Sequence, residues 1–235
     1  MAPAFKMVLL LRSRHDLTAE AFTRGWIACE DVAPTQARGL LDVVFDAPIA
    51  TPAPIENVAT PPFDAAVETW WERKNDAADW VVSASFTDDW LGSRRDLLAE
   101  VPVSLGGIPD LLWLSPADPA ADAVKVLTLP VAPRRLRFAE FAEHWTGAHA
   151  DLALSGPGTR ERLLRLEDTP APLPLSSRLG RARYDGVGAL TFASAAALEE
   201  EFASAHYREN LAPDELRFTD PVSSTALVTR EIRLR

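Results

Sequence analysis

Apolar residues fall in two kinds of spacing along the chain, and the two kinds alternate. Short, nearly continuous apolar runs over residues 6–12 and 124–131 predict first strands. Residues 18–31 and 138–150 follow with helical spacing. Phe22, Trp26 and Glu30 are four apart, as are Phe141, Trp145 and His149, so each trio shares one helix face. The aromatic members read as core residues packed on a sheet. Thr18 suits the helix N-cap, although position 21 lacks the Glu or Gln of a capping box. Second strands are expected over 39–43 and 162–166, and third strands over 63–71 and 184–192. Second helices follow near 76–86 and 194–203, an additional helical segment over 89–100, and last strands near 110–114 and 224–231. Pro48, Pro52, Pro54, Pro61 and Pro62 mark a long loop in one half, and Pro170, Pro172 and Pro174 mark its counterpart.

Each half therefore reads β-α-β-β-α-β, the order of a ferredoxin-like unit. The halves also match in sequence. An offset of 119 residues carries Lys6 to Lys125, Phe22 to Phe141, Trp26 to Trp145 and Pro102-Val103-Ser104 to Pro221-Val222-Ser223. Phe63-Asp64 maps to Tyr184-Asp185 at an offset of 121, the change falling in the proline-rich loops. A repeat of this length is a small domain rather than a solenoid unit. The fold class expected is α+β: two ferredoxin-like repeats, residues 1–116 and 117–235, fused into one pseudo-symmetric barrel. A four-stranded sheet with helices on one face leaves the other bare, and two sheets packed face to face would bury both.

Composition narrows the partners. The net charge is −10 and the pI near 4.9, which argues against nucleic acid or an anionic membrane surface. No stretch approaches the roughly 20 apolar residues of a membrane helix, and the run from Met7 to Leu11 is too short for a signal peptide. Cys29 is the only cysteine, so no intrachain disulfide can form; a reducing, cytoplasmic location is expected. On the first helix, Cys29 reads as a small buried hydrophobe rather than a nucleophile.

The second half carries motifs of a known family. Trp145-x3-His149-Ala150-Asp151-Leu152, Tyr184-Asp185-Gly186-Val187, Phe202-Ala203-Ser204-x2-Tyr207-Arg208 and Ala212-Pro213-Asp214-Glu215-x-Arg217-Phe218-x-Asp220 resemble the EthD family. The resemblance spans about residues 123–231 and implies the dimeric α/β-barrel superfamily, in which two ferredoxin-like units pair their sheets. The first half looks like a diverged copy. It keeps Phe22, Trp26, Asp64, Glu68 and Trp70 but has Glu30 where the family has histidine. In the second half Ala189 and Thr191 replace the usual glutamate and tryptophan of the third strand. The resemblance leaves the reaction open, since such barrels include cyclases, cofactor-independent monooxygenases, isomerases and lyases.

His149 is the leading candidate for chemistry, because histidine exchanges protons near neutral pH. A position at the helix C-terminus would favour its charged form, and Asp151 would orient it. On the third strand Asp64, Ala66, Glu68 and Trp70 share a face. There Glu68, enclosed beside Trp70, would carry a raised pKa and serve as acid or base. Arg165, opposite Asp42 in the repeat, could bind a carboxylate or enolate, and Tyr184 could donate a proton. Glu30 could replace the second histidine. Each has a plainer reading, as a capped helix end, surface ion pair or packing residue. Trp70 and its neighbours could wall a site for a flat apolar ligand. No Gly-rich phosphate loop, G-x-S-x-G or H-E-x-x-H motif is present. His144 and His149, five apart, are splayed on an α-helix, so no metal or other cofactor is expected.

The reading that follows is a cofactor-independent enzyme using general acid–base chemistry on a small hydrophobic, aromatic or polyketide-like compound, as lyase, isomerase, dehydratase or cyclase. Cofactor-free oxygenation of an electron-rich aromatic and non-catalytic ligand binding are the alternatives. The barrel is expected within one chain, with further homodimerisation left open.

Overall fold

In the computed structural model, which describes residues 5–29, 37–49, 58–171 and 179–234, the predicted elements occur in the predicted order. The first half contributes β1 (Phe5–Leu11), α1 (Ala19–Ala28), β2 (Leu40–Pro48), β3 (Ala65–Trp71), α2 (Lys74–Val81), β4 (Val103–Gly107) and β5 (Asp110–Leu114). The second contributes β6 (Val124–Leu129), α3 (Phe138–Glu143), α4 (Ala150–Leu154), α5 (Thr159–Arg162), β7 (Leu163–Pro170), β8 (Gly180–Arg181), β9 (Gly186–Phe192), α6 (Ala195–Ala203), α7 (Ala212–Phe218) and β10 (Thr225–Arg233). Thr18 caps α1 as expected, its Oγ1 accepting from the Ala21 amide at 3.2 Å. The additional helical segment is a π-helical turn, Ser85–Trp90, followed by a 3₁₀ turn, Gly92–Leu97.

Two separate sheets packed face to face are not what forms. One sheet runs in the order β5-β7-β9-β6-β10-β2-β3-β1-β4-β8, antiparallel except for the short β4–β8 pair. The reason lies in the last strand of each half. Thr225–Thr229 of β10 pairs with β6, and Thr229–Arg233 runs on to pair with β2 of the first half. In the first half the corresponding arm is broken. Its β4 pairs with β1, and after Ile108-Pro109 its β5 pairs with β7 of the second half. Proline has no amide to donate and fixes φ, so the arm bends there. Gly107 allows the crossing, because a Cβ at that position would overlap the carbonyl of Pro170. Each arm covers an edge that would otherwise expose unpaired backbone groups. The sheet thus curls into a barrel-like α+β structure with helices outside.

Strand alternation sorts side chains between the interior and the helix layer. On β3, Ala66, Glu68 and Trp70 point inward while Ala65, Val67 and Trp71 join the outer core, as the alternation predicts. One end of the interior is apolar, formed by Val8, Leu10, Leu105, Leu127, Val187 and Leu227. The other end is ionic. Lys6 bridges Glu68 at 2.7 Å and, across the barrel, Glu167 at 2.8 Å. Lys125 reaches Asp46 at 2.9 Å, Glu68 at 3.2 Å and Glu231 at 2.9 Å. Arg165 closes the network on Glu167 at 2.6 Å. Arg233, more exposed, adds a contact to Glu231 at 3.8 Å. Burial pushes the Asp46 pKa well up, opposed by Lys125 and reinforced by Glu68.

Candidate active site

The two helix layers differ in how they are filled. Over the first half, Trp26 stacks on Phe45 at 5.1 Å, Trp80 and Phe86 pack edge to face, and Phe86 stacks on Trp90. The buried Arg94 lies against the faces of Trp26 and Trp90 and donates to the carbonyls of Cys29 and Trp90. Cys29 is half-buried rather than buried, its thiol donating to Gly25 and Ser93 carbonyls. Large rings dominate this side among the described residues. Over the second half, a cavity of about 130 Å³ lies between helices and sheet, walled by Trp145, Leu163, Leu166, Leu190, Phe192 and Phe202 among others. A dry cavity of about 150 Å³ accepts a benzene ring, so the space suits one compact ring compound.

Trp145 reaches the sheet because Gly186 and Gly188 leave it room. A Cβ at Gly186 would overlap the indole ring, and one at Gly188 would lie 3.2 Å from Trp145 Cζ2. His149 also borders the cavity. It is not at a helix end: α3 continues through a π-helical turn, His144–His149, into α4, which ends at Leu154. Without a helix terminus to favour the cation, burial dominates and lowers the His149 pKa, with Asp214 partly restoring it. The π turn corrects a second expectation. Its i→i+5 geometry places residues five apart side by side, where an α-helix would splay them. His144 Nε2 and His149 Nδ1 both lie 3.0 Å from Oδ2 of Asp214 on α7. Burial would raise the Asp214 pKa, but its hydrogen bonds to the two histidines bring it below the usual range. The ionised carboxylate accepts from His149 Nδ1–H, which leaves Nε2 as the basic nitrogen.

Asp151, expected to orient His149, is exposed, and Asp214 does the orienting. Glu68, Trp70 and Arg165 lie inside the barrel on the opposite face of the sheet from His149. The raised pKa expected of Glu68 is corrected. Burial would raise it, but Lys125 and Lys6 together hold it well below the carboxylate range. Glu68 is therefore a fixed anion in this network. Arg165 is engaged by Glu167 and lies 5.8 Å over the Trp70 ring. Tyr184 is buried in the apolar end of the interior and accepts from Thr225 at 3.3 Å. Glu30 lies outside the described residues, as do the loop prolines Pro52, Pro54, Pro172 and Pro174.

Three cavity carboxyls had no role in the sequence reading; one of them, Glu201, is held by Thr159 and Arg162. Glu215 on α7 accepts from Tyr207 Oη at 3.2 Å; burial raises its pKa to about 7, against the hydrogen bond from Tyr207. Asp168 on β7 is buried, and burial raises its pKa well up, helped by Asp110 and Glu167. The signals were present. Glu215 and Asp214 lie within the Ala212-Pro213-Asp214-Glu215 motif, and Glu167-Asp168 puts one acid on each face of β7. Among the described residues no cluster of three or more His, Cys, Asp or Glu is arranged to hold a metal ion.

Glu215 carries a pH signature. Its native pKa of about 7 exceeds its ordinary 4.5, so the unfolded chain ionises first. The stability that its neutral form provides is full below pH 4.5 and lost as pH rises through 7. Glu215→Gln should match the wild type at pH 4 and exceed it by roughly 3 kcal/mol at pH 8, as read by urea denaturation. Equal differences at both pH values would assign Glu215 an ordinary pKa.

The α+β barrel-like fold is shared with several solved structures. An anthrone oxidase-like protein superposes with a TM-score of 0.69 at 9% identity, covering 97% of this chain and 91% of its own. A candidate monooxygenase from Fusobacterium nucleatum subsp. nucleatum ATCC 25586 gives 0.58 at 8% identity, covering 98% and 93%. The W145V mutant of chlorite dismutase from Candidatus Nitrospira defluvii gives 0.56 at 11%, covering 100% and 93%. At these identities the likeness concerns the fold. Residues 134–222, the stretch that contains His144, His149, Asp168 and Asp214, match the family model of the EthD domain. No curated protein matches the sequence. Among the described residues no helix is long and apolar enough to cross a membrane.

Proposed function

We propose that the cavity of the second half is an acid–base active site for a small hydrophobic ring compound. The observation that carries this reading is His149, bound through Nδ1 to Asp214 at 3.0 Å and bordering an apolar cavity of ring size. Burial keeps the imidazole neutral, so Nε2 acts as base, while the raised carboxyls Asp168 and Glu215 supply acids in the same space. These side chains suffice for proton removal and return, as in isomerisation, dehydration, cyclisation or lysis, without a cofactor. Under this reading the chain is two fused ferredoxin-like units, 1–116 and 117–235, supported by the strand orders β2-β3-β1-β4 and β7-β9-β6-β10. It acts in the cytoplasm.

A small-scale test needs no prior substrate. Incubation with acetophenone and related aryl ketones in D₂O should give deuterium at the α-carbon, read by proton NMR, and His149→Ala should abolish the excess over buffer. Exchange undiminished in that variant would overturn the assignment of His149. Oxygenation is the second reading, favoured by the barrels of similar fold named as anthrone oxidase-like and candidate monooxygenase. Oxygen uptake with an electron-rich aromatic, without added metal or flavin, would select it.

A further inference from the structure

Asp168 differs from every other buried carboxyl of the barrel. Asp46, Glu68 and Glu167 are each held by a lysine or arginine, and Glu201 by Thr159 and Arg162. Asp168 is 3% exposed, borders the cavity, and has no hydrogen-bond or ion-pair partner among the described residues. It points to the helix side of β7, away from Lys6 and Arg165, because Glu167 takes the inward position. Its surroundings are the Trp145 edge, Thr128 and Gly188: a Cβ at Gly188 would overlap Thr128 Oγ1 and lie 3.0 Å from Asp168 Oδ1 and 3.2 Å from Trp145 Cζ2. Glycine there keeps the carboxyl and the indole edge uncovered toward each other. A partnerless carboxyl in an apolar wall destabilises the fold, and such a group persists when a ligand completes it.

We propose that Asp168 is a specificity-determining residue that donates its carboxylic O–H to a carbonyl oxygen of the substrate, while the ring of that substrate packs against Trp145. This rests on the acid–base reading of the cavity and names its substrate class: compact aryl or cyclic ketones and aldehydes rather than hydrocarbons or anions. A carboxylic acid held neutral by burial makes such a bond, and it strengthens as negative charge develops on that oxygen when His149 removes an α-proton. A carboxylate ligand would meet Asp168, Asp110 and Glu167 without a compensating cation, since Lys6 and Arg165 are engaged inside the barrel.

The test compares acetophenone with α-methylstyrene, which replaces the carbonyl oxygen by a methylene of similar shape, using ligand-observed NMR titration. Wild-type protein should bind acetophenone about tenfold more tightly, the worth of one buried hydrogen bond. Asp168→Leu should bring the ratio to about one while retaining α-methylstyrene, and should raise Tm by a few degrees because a partnerless acid has been removed. Asp168→Asn keeps an N–H donor and should keep most of the preference. A ratio of one in the wild type, or a preference undiminished in Asp168→Leu, overturns the role of Asp168 and leaves the acid–base reading standing. A fall in Tm for both variants makes Asp168 structural and also overturns it. Binding of neither compound overturns the ligand site and the reading on which it rests.

Discussion

Replacing Asp214 by Asn is expected to lower turnover by roughly 10²- to 10⁴-fold, with little change in the fold. The carboxylate sets the His149 tautomer: by accepting from Nδ1 at 3.0 Å it leaves the lone pair on Nε2. An Asn can present its amide N–H to the same ring nitrogen, which transfers the ring proton to Nε2 and removes the base. Asp214 also raises the His149 pKa against the burial that lowers it. The acid limb of kcat/KM should therefore move to lower pH in Asp214→Asn, in addition to the fall in rate. His149→Ala should cost 10²-fold or more, and Glu30→Ala, at the matching place in the first half, far less. Steady-state kinetics on the exchange reaction, with folding checked by thermal melts, decides this. Equal losses for His149→Ala and Glu30→Ala would mean two working sites. An unshifted acid limb in Asp214→Asn would assign that limb to another group.

The second large effect concerns the barrel interior. Lys125→Met should destabilise the protein by about 3–5 kcal/mol, because Asp46, Glu68 and Glu231 would lose the cation they share. For a chain of this size that corresponds to a fall in Tm of roughly 10 °C. Lys125→Met with Glu68→Leu should recover most of the loss. In that variant Lys6 and Arg165 still hold Glu167, and Arg233 still lies 3.8 Å from Glu231. Thermal and urea denaturation of the wild type, both singles and the double form the required cycle. Additive losses would show that the network consists of independent pairs.

Much of this architecture could be read from residue spacing. The alternation on β3, the cap at Thr18 and the Phe22–Trp26 and Phe141–Trp145 pairs are local, and local spacing suffices for them. What spacing missed depended on partners distant in the chain or on a change of helix type. The expected acidity of Glu68 ignored Lys6 on the paired neighbouring strand and Lys125 of the other half, which closes on it only when the sheet curls. Asp214 is 65 residues from His149, so the nearer Asp151 looked like the orienting group. A period of 3.6 residues separates His144 from His149, and one π-helical turn brings them together. The broken arm at Ile108-Pro109 hid β4, leaving only β5 visible as a last strand.

The contrast between the two helix layers has a consequence for how such a molecule diversifies. When two identical subunits build a barrel, each substitution arises in duplicate, so an indole that blocks one site blocks its twin. A barrel built within one polypeptide is free of that constraint. Here Trp26, Trp80, Trp90 and Arg94 dominate one layer, while the opposite layer retains an opening and a partnerless acid. Both layers rest on one sheet, because β10 and β5 each pair across the two halves. Variants that enlarge or repolarise the open layer should accordingly be tolerated for as long as the ring-filled layer is left alone.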